Sequence, residues 1–240
     1  MDEEQVLKFV NYIDNLSEDD PNYGLDMFFK IKDNMNKQCL EIISRIEKID
    51  LKISKTSSKS EKGSLSYEKG ILLEKLAGNI RSIRNLFSKK ERVICDSNEI
   101  DILLQPAPNT AFFSKLLLEY LRKDFLIECK NHKKPIDVIL LGKFYSLMRY
   151  KKSRFGIRFS NFPLTGKNAW KDSVGLTKKL YLRDDTIIIN ITIERIKEIL
   201  EKDINIIVAI KKEVDEIIYH TKFDDDIKRH PAEFIMKPIV

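Results

Sequence analysis

Acidic and basic side chains that could act together chemically lie on two short apolar segments. The segment NEIDILL, residues 98–104, carries Asp101, and the segment FLIECKN, residues 125–131, carries Glu128 and Lys130. Because side chains alternate between the faces of a strand, Glu128 and Lys130 share one face, and Asp101 points away from the apolar row of its own segment. If the two strands are neighbours, two carboxylates and an ammonium meet, a combination suited to a hard cation and a phosphate.

Each of these residues also has an ordinary structural interpretation. Glu128 and Lys130 could form an ion pair on an exposed strand, worth about 0 to 1 kcal/mol. Asp101 could be a solvent-facing acid at the end of a strand. An acid–acid–lysine spacing occurs by chance in many lysine-rich proteins, so the argument depends on where these residues lie in the fold.

The spacing of apolar residues predicts an α/β protein. Three-and-four spacing indicates helices over residues 26–53 and 67–87, after which the period changes to that of strands. Strands are predicted at 92–95, 99–104, 125–130, 155–160 and 186–191, and further helices at 136–150, 167–179, 192–200 and 204–221. The alternation of strands and helices after an initial meander implies a mixed sheet flanked by helices. Residues 105–124, between the second and third strands, form an insertion with a short helix and no assigned role.

The chain divides into three predicted parts. Residues 1–66 form an N-terminal helical extension ending in a linker, because residues 54–66 (SKTSSKSEKGSLS) are too rich in serine and lysine to bury a face. Residues 67–223 form the principal domain, and residues 224–240 form a polar tail. The amphipathic N-terminal helix could form a homodimer, cover a cleft, bind a partner protein or pack against its own domain.

Composition limits the class of protein further. The 240 residues include 43 lysines and arginines against 37 acids, a net charge of +6 that favours polyanionic partners. Hydrophobic residues make up 42% of the chain, which excludes a disordered protein. Without a long apolar run or a signal peptide, the chain is expected to have no membrane span and a cytoplasmic location. The 3 cysteines are odd in number and far apart, which argues against a disulfide framework or a zinc knuckle.

The order NEIDILL then FLIECKN resembles the PD-(D/E)xK nuclease superfamily, with Asp101 as the first acid and Glu128 and Lys130 as the ExK element. Upstream, KGILLEKLAGNI places Glu74 on a helix before the sheet, similar to an acid that many members add to the metal site. Downstream, FGIRFSNFPLTG resembles the strand and turn that follow the core helix in Mrr-like restriction endonucleases. The chain departs from the literal motif because no proline immediately precedes Asp101.

This resemblance implies a restriction-endonuclease-like fold and Mg²⁺-dependent hydrolysis of DNA, with Mn²⁺ as a substitute metal, in restriction or defence against foreign DNA. It assigns Asp101, Glu128 and Glu74 to the metal. Lys130 is expected to stabilise negative charge in the transition state, since nearby carboxylates favour its charged form. Cutting both strands with one site per chain would favour a homodimer.

A basic segment, RYKKSRFGIRFS at residues 149–160, suits a surface that follows DNA phosphates. Its cationic residues are Arg149, Lys151, Lys152, Arg154 and Arg158. A solvated helix end is the competing explanation. Two further functions stay open: a catalytically silent nuclease-like module that binds DNA or a partner protein, and a helical assembly protein in which the acids are incidental.

Overall fold

The structure is a computed structural model. It describes residues 30–79, 86–95, 98–113, 117–131, 134–166 and 171–219, together with isolated positions before residue 30. The helices are α1 (Asp33–Lys55), α2 (Lys59–Asn79), α3 (Pro108–Phe113), α4 (Val138–Tyr150), α5 (Asp172–Asp184), α6 (Ile193–Glu201) and α7 (Ile206–Ile218). The strands are β1 (Phe87–Cys95), β2 (Asn98–Pro106), β3 (Phe125–Lys130), β4 (Phe155–Ser160) and β5 (Ile187–Thr192), and a 3-10 turn covers Glu119–Arg122.

Within the described residues, the strands form a five-stranded sheet in chain order. β1, β2 and β3 pair antiparallel, whereas β3, β4 and β5 pair parallel through the crossover helices α4 and α5. The chain is therefore an α/β protein with a mixed sheet flanked by helices, as the hydrophobic pattern predicts.

Helices cover both faces of this sheet. On one face, apolar residues of α1, α2, α6 and α7 form a single core with Ile127 of β3 and Ile157 of β4. On the other face, Phe144 and Met148 of α4 pack with Leu126 of β3 and with α5. All six residues of β4 are buried, since this strand lies inside the sheet and is covered on both sides.

A glycine sets the distance between β4 and α4. A methyl group added at Gly156 would lie 2.7 Å from the Met148 sulfur and 2.8 Å from the Phe144 ring. Because real side chains do not approach so closely, glycine allows the helix to lie directly against the strand.

The first helix is amphipathic as predicted, and it packs against its own domain. It buries Ile42, Ile43 and Ile46 in the core shared with the sheet. Outside that core, the Asn36 amide donates to the Leu200 carbonyl at 3.1 Å and Glu47 pairs with Lys197 at 2.7 Å. The apolar face of α1 is thus occupied within the chain, and the division at residue 66 stays a prediction.

The predicted linker at residues 54–66 is wrong for most of its length. Helix α2 begins at Lys59, leaving only a short connection from α1. Lysine and glutamate are good helix formers, and Leu65 and the buried Lys69 continue the inner face of the helix into this segment. A segment poor in apolar residues can still form a helix when only a narrow apolar stripe along the helix packs against the rest of the protein.

Several predicted helix and strand boundaries also differ from those in the structure. The helix predicted at 67–87 ends at Asn79, and Phe87 instead opens β1, which is longer than the predicted strand at 92–95. Helix α1 begins at Asp33 rather than at residue 26, and α5 covers 172–184 rather than 167–179. Residues 80–85, 167–170 and the tail 224–240 lie outside the described residues. Across the described ranges, no helix combines the length and apolar character needed to cross a bilayer.

Candidate active site

The pairing of β2 with β3 brings the two sequence-predicted acids together. Ile102 pairs with Ile127 at the end of the antiparallel register, and Asp101 and Glu128 are the next residues beyond this pair on the two strands. The Asp101 Oδ2 atom accepts a hydrogen bond from the Cys129 backbone N–H at 2.6 Å. Asp101 is therefore fixed against β3 beside Glu128 rather than pointing freely to solvent.

Glu128 and Lys130 form an ion pair that only partly satisfies the carboxylate. The Lys130 Nζ atom lies 2.8 Å from Glu128 Oε1, and the Glu128 side chain is only 12% exposed. The second oxygen, Oε2, is buried and accepts no hydrogen bond within the described part of the chain. A buried carboxylate oxygen without a donor is costly, so this atom is available to a cation or a water molecule.

The acids also determine the charge state of Lys130. Burial, the largest influence, lowers the pKa of this ammonium. The opposing charge and hydrogen bond of Glu128, with the charge of Asp101, outweigh it and leave the Lys130 pKa above its ordinary value. Lys130 is therefore protonated at neutral pH.

Glu74 of α2 lies near the same strand. The carbonyl of its neighbour Leu73 is 4.0 Å from the Cys129 sulfur. Burial raises the pKa of the Cys129 thiol well above its ordinary range, and the negative charges of Asp101 and Glu74 raise it further. The charge of Glu74 thus reaches Cys129, whereas the contacts of the site join Asp101, Glu128 and Lys130 on β2 and β3.

Arg158 occupies a different place from the one predicted. It pairs with Glu128 in the parallel register of β3 and β4, and its side chain is 0% exposed. Its Nη1 atom donates to the Leu140 carbonyl at 2.7 Å, and the guanidinium lies 5.6 Å from the centre of the Phe144 ring. Burial lowers the pKa of Arg158, while the charges of Glu128 and Asp101 oppose that shift. Because β4 is an interior strand, this arginine is a buried neighbour of the acids rather than part of a DNA-facing surface.

The other basic residues of the 149–160 segment lie at the far end of α4. Helix α4 begins near the acids and runs back along the sheet for 13 residues, or about 20 Å. The Ser153 hydroxyl, within this segment, donates to the carbonyl of Asp124, just before β3 begins. Arg149, Lys151, Lys152 and Arg154 therefore lie away from the acids, unlike Arg158, and their contact with DNA stays a prediction.

Two of these cations already have acidic neighbours. Arg149 pairs with Asp184 at 3.2 Å and Arg154 lies 3.6 Å from Asp185. Lys151 lies over the ring of Tyr150. These contacts favour the competing interpretation, a solvated helix end.

Sequence reasoning missed the polar residues just beyond the carboxyl ends of the strands. Asn161, after β4, donates to Asn131 Oδ1, after β3, at 2.8 Å, and Asn131 in turn donates to the Ser66 carbonyl of α2 at 2.9 Å. An asparagine directly after each of these two strands is the sequence feature that predicts this contact, since parallel strands end at a common edge of the sheet.

The donor set partly suits a magnesium ion. Within the described residues, no three His, Cys, Asp or Glu side chains form a ready metal-binding group. Mg²⁺, however, is commonly held by one or two carboxylates while it keeps several waters. The buried Oε2 atom of Glu128 provides a fitting oxygen, and Asp101 is held on the neighbouring strand, so the residues fit one ion.

Comparison with protein-family models, with curated proteins and with solved structures found no match for this chain.

Proposed function

We propose that this protein is a Mg²⁺-dependent DNA endonuclease with a restriction-endonuclease-like core. The observation that carries the proposal is that Asp101 is bonded to β3 next to Glu128, whose one oxygen binds Lys130 and whose other oxygen is buried without a donor among the described residues. An acid pair beside a charged lysine is suited to phosphodiester hydrolysis, in which a metal and a cation stabilise negative charge on phosphate.

Asp101 and Glu128 would hold the ion, with Mn²⁺ as a substitute, and Glu74 would orient a second ion or its waters. When bound, Mg²⁺ would supply Lewis acidity toward the phosphate and lower the pKa of an attacking water. The hydrogen bond from the Cys129 N–H fixes Asp101, and the ion pair with Lys130 fixes Glu128. Both acids are therefore oriented before any ligand arrives, which reduces the reorganisation needed for catalysis.

Lys130 would act through its charge rather than as a base. Its pKa lies above the ordinary lysine value because Glu128 and Asp101 outweigh the effect of burial. An ammonium that keeps its proton can donate hydrogen bonds to the water and to the phosphate oxygens as negative charge grows. Restriction or defence would be the biological setting, and a second copy of the chain would cut the opposite strand.

Cleavage of supercoiled plasmid in Mg²⁺, in EDTA and in Ca²⁺ tests the proposal. The wild-type protein should nick or linearise the plasmid in Mg²⁺ alone, and Lys130→Ala should lose at least about a hundredfold in rate, as expected for a group that stabilises the transition state. Lys123→Ala is the matched control, since Lys123 is exposed at the opposite end of β3 and should leave cleavage unchanged. Cleavage that survives in Lys130→Ala would show that the chemistry lies elsewhere.

A catalytically silent DNA-binding or protein-binding module is the second candidate. The observation in its favour is that Asp101 Oδ2 is already engaged by a backbone N–H within the fold. Gel-shift measurements in Ca²⁺ separate the two functions. DNA binding without cleavage of plain, methylated or branched DNA would favour the silent module.

A further inference from the structure

A cleft with polar and apolar sides lies at the carboxyl ends of the parallel strands, where Asn131 follows Lys130. It encloses about 520 Å³ between α1, α2, the turns after β3 and β4, and the start of α6. In open α/β sheets, ligands bind in crevices outside the carboxyl ends of the strands. The volume is within the range of small-molecule sites in proteins.

One side of the cleft is apolar and presents a ring. Ile46 and Ile53 of α1, together with Ile193 at the start of α6, supply aliphatic surface. Phe162, in the turn after β4, also lines the cleft and is 40% exposed although it is a large apolar residue. Such a surface suits a flat aromatic ligand, because aromatic side chains provide stacking platforms for bases.

Amide groups line the cleft beside this apolar side. Asn161 donates to Asn131, which donates to the Ser66 carbonyl, so the Asn131 amide is held in one orientation. Each amide nitrogen carries two hydrogens, and that bond to Ser66 uses only one of them at Asn131. A fixed amide donor can hydrogen-bond to the edge of a nucleobase.

The charges around the cleft favour an anion. Its two acids already have lysine partners: both Asp50 oxygens lie 2.6 Å from the buried Lys69, and Glu47 lies 2.7 Å from Lys197. Lys62, by contrast, lines the cleft without an ion pair to another described residue. One cation therefore remains for a phosphate group.

From this combination we propose that the cleft binds one unstacked nucleotide of the DNA substrate. The base would lie against Phe162 and the isoleucines, Asn131 would contact its edge, and Lys62 would contact its phosphate. Asn131 directly follows Lys130 in the chain, which places the cleft and the acids at the same end of β3. The inference rests on the proposed nuclease function and deepens it by assigning a nucleotide-binding position.

Titration of the ¹⁵N-labelled full chain with dAMP, dGMP, dCMP and dTMP tests the site directly. At least one nucleotide should give saturable NMR shifts at the Asn131 side-chain amide and at Phe162. Lys62→Gln should weaken that binding about tenfold, because a charge-assisted hydrogen bond is lost. Lys59→Gln, one turn earlier on α2 and exposed, should bind like the wild type. Absence of saturable shifts, or equal shifts with inorganic phosphate alone, would overturn the inference.

Filling the cleft gives a second test. Ile53→Trp should abolish nucleotide binding and plasmid cleavage together, since the indole would occupy the space of the base. Leu51→Trp is the matched control on the same helix, because Leu51 is 61% exposed and does not line the cleft. Normal cleavage by a folded Ile53→Trp variant would contradict the inference.

The two proposals fail in different ways. Lys130→Ala should lose cleavage yet still bind nucleotides, because Lys130 does not line the cleft. If the wild type cuts plasmid but binds no nucleotide in the cleft, the nuclease function stands and the inference falls. If nucleotides bind at Asn131 but no DNA is cut, the cleft site stands and the nuclease proposal falls.

Discussion

Arg158→Met should destabilise the protein severely, although its sequence context is that of a basic surface segment. The Arg158 side chain is 0% exposed and donates a hydrogen bond to the Leu140 carbonyl at 2.7 Å. Arg158 also pairs with Glu128 in the parallel register of β3 and β4. Methionine keeps much of the apolar volume against Phe144 but removes the charge. Its loss would leave two carboxylates, Glu128 and Asp101, facing Lys130 as their remaining cation, and breaking up buried opposite charges costs about 3 to 5 kcal/mol.

The matched control is Arg154→Met, near the start of the same strand. The Arg154 side chain is 65% exposed and lies 3.6 Å from Asp185. An exposed ion pair of this kind contributes about 0 to 1 kcal/mol. The same chemical change is therefore expected to differ by about 2 to 5 kcal/mol between the two positions.

Urea denaturation followed by circular dichroism measures both free energies of unfolding by linear extrapolation. Glu128→Gln in the Arg158→Met background should recover part of the loss, since it removes one of the two carboxylates that Arg158 opposes. A loss for Arg158→Met within about 1 kcal/mol of that for Arg154→Met would refute the reasoning. It would show that the acids do not need this buried cation.

Two further predictions follow from packing and from surface charge. Gly156→Ala should lower the free energy of unfolding by about 1 to 3 kcal/mol, because its methyl group would overlap the Phe144 ring. Gly70→Ala, in open space on α2, is the control and should raise the free energy of unfolding by about 0.5 to 1 kcal/mol. Equal effects of the two changes in urea denaturation would contradict this prediction. Hydrogen bonds from Lys202 and Arg195 lower the pKa of Glu198 from 4.5 to about 2. Because the folded-state pKa is the lower one, the stabilisation is present above pH 4.5 and disappears as the pH falls toward 2. The difference in melting temperature between wild type and Glu198→Gln should therefore shrink over that interval, and a constant difference would show that the carboxylate does not contribute.

The hydrophobic period of the sequence predicts the type of most helices and strands, although not all of their bounds. The segment Phe125–Lys130 reads as a strand and is one, and alternation of side chains correctly places Glu128 and Lys130 close enough for an ion pair. The first helix likewise buries apolar residues at the predicted three-and-four spacing, namely Cys39, Ile42, Ile43, Ile46 and Ile49. These features depend on neighbours along the chain, so one sequence contains the information needed to predict them.

The period of the sequence does not predict contacts between segments that lie far apart in the chain. That Asp101 contacts β3 next to Glu128 depends on the register of β2 and β3, and Arg158 is buried because β4 is an interior strand. A basic segment gives the same sequence pattern whether it faces solvent or crosses the sheet, so the pattern does not distinguish the buried Arg158 from the other basic residues of the segment. The linker prediction failed for a related reason, since α2 is stabilised by a narrow inner stripe packed on α1 and the sheet.

The sequence by itself determined the α/β class, the strand carrying Glu128 and Lys130, and the amphipathic first helix. Tertiary structure alone determines which charged residues lie close together. It places Asp101 and Arg158 next to Glu128 and Lys130, and it places the other basic residues of the 149–160 segment at the far end of α4. It also formed the cleft beside Asn131. The physical reason is that periodicity specifies which face of an element is buried, whereas strand order and register specify what that face contacts.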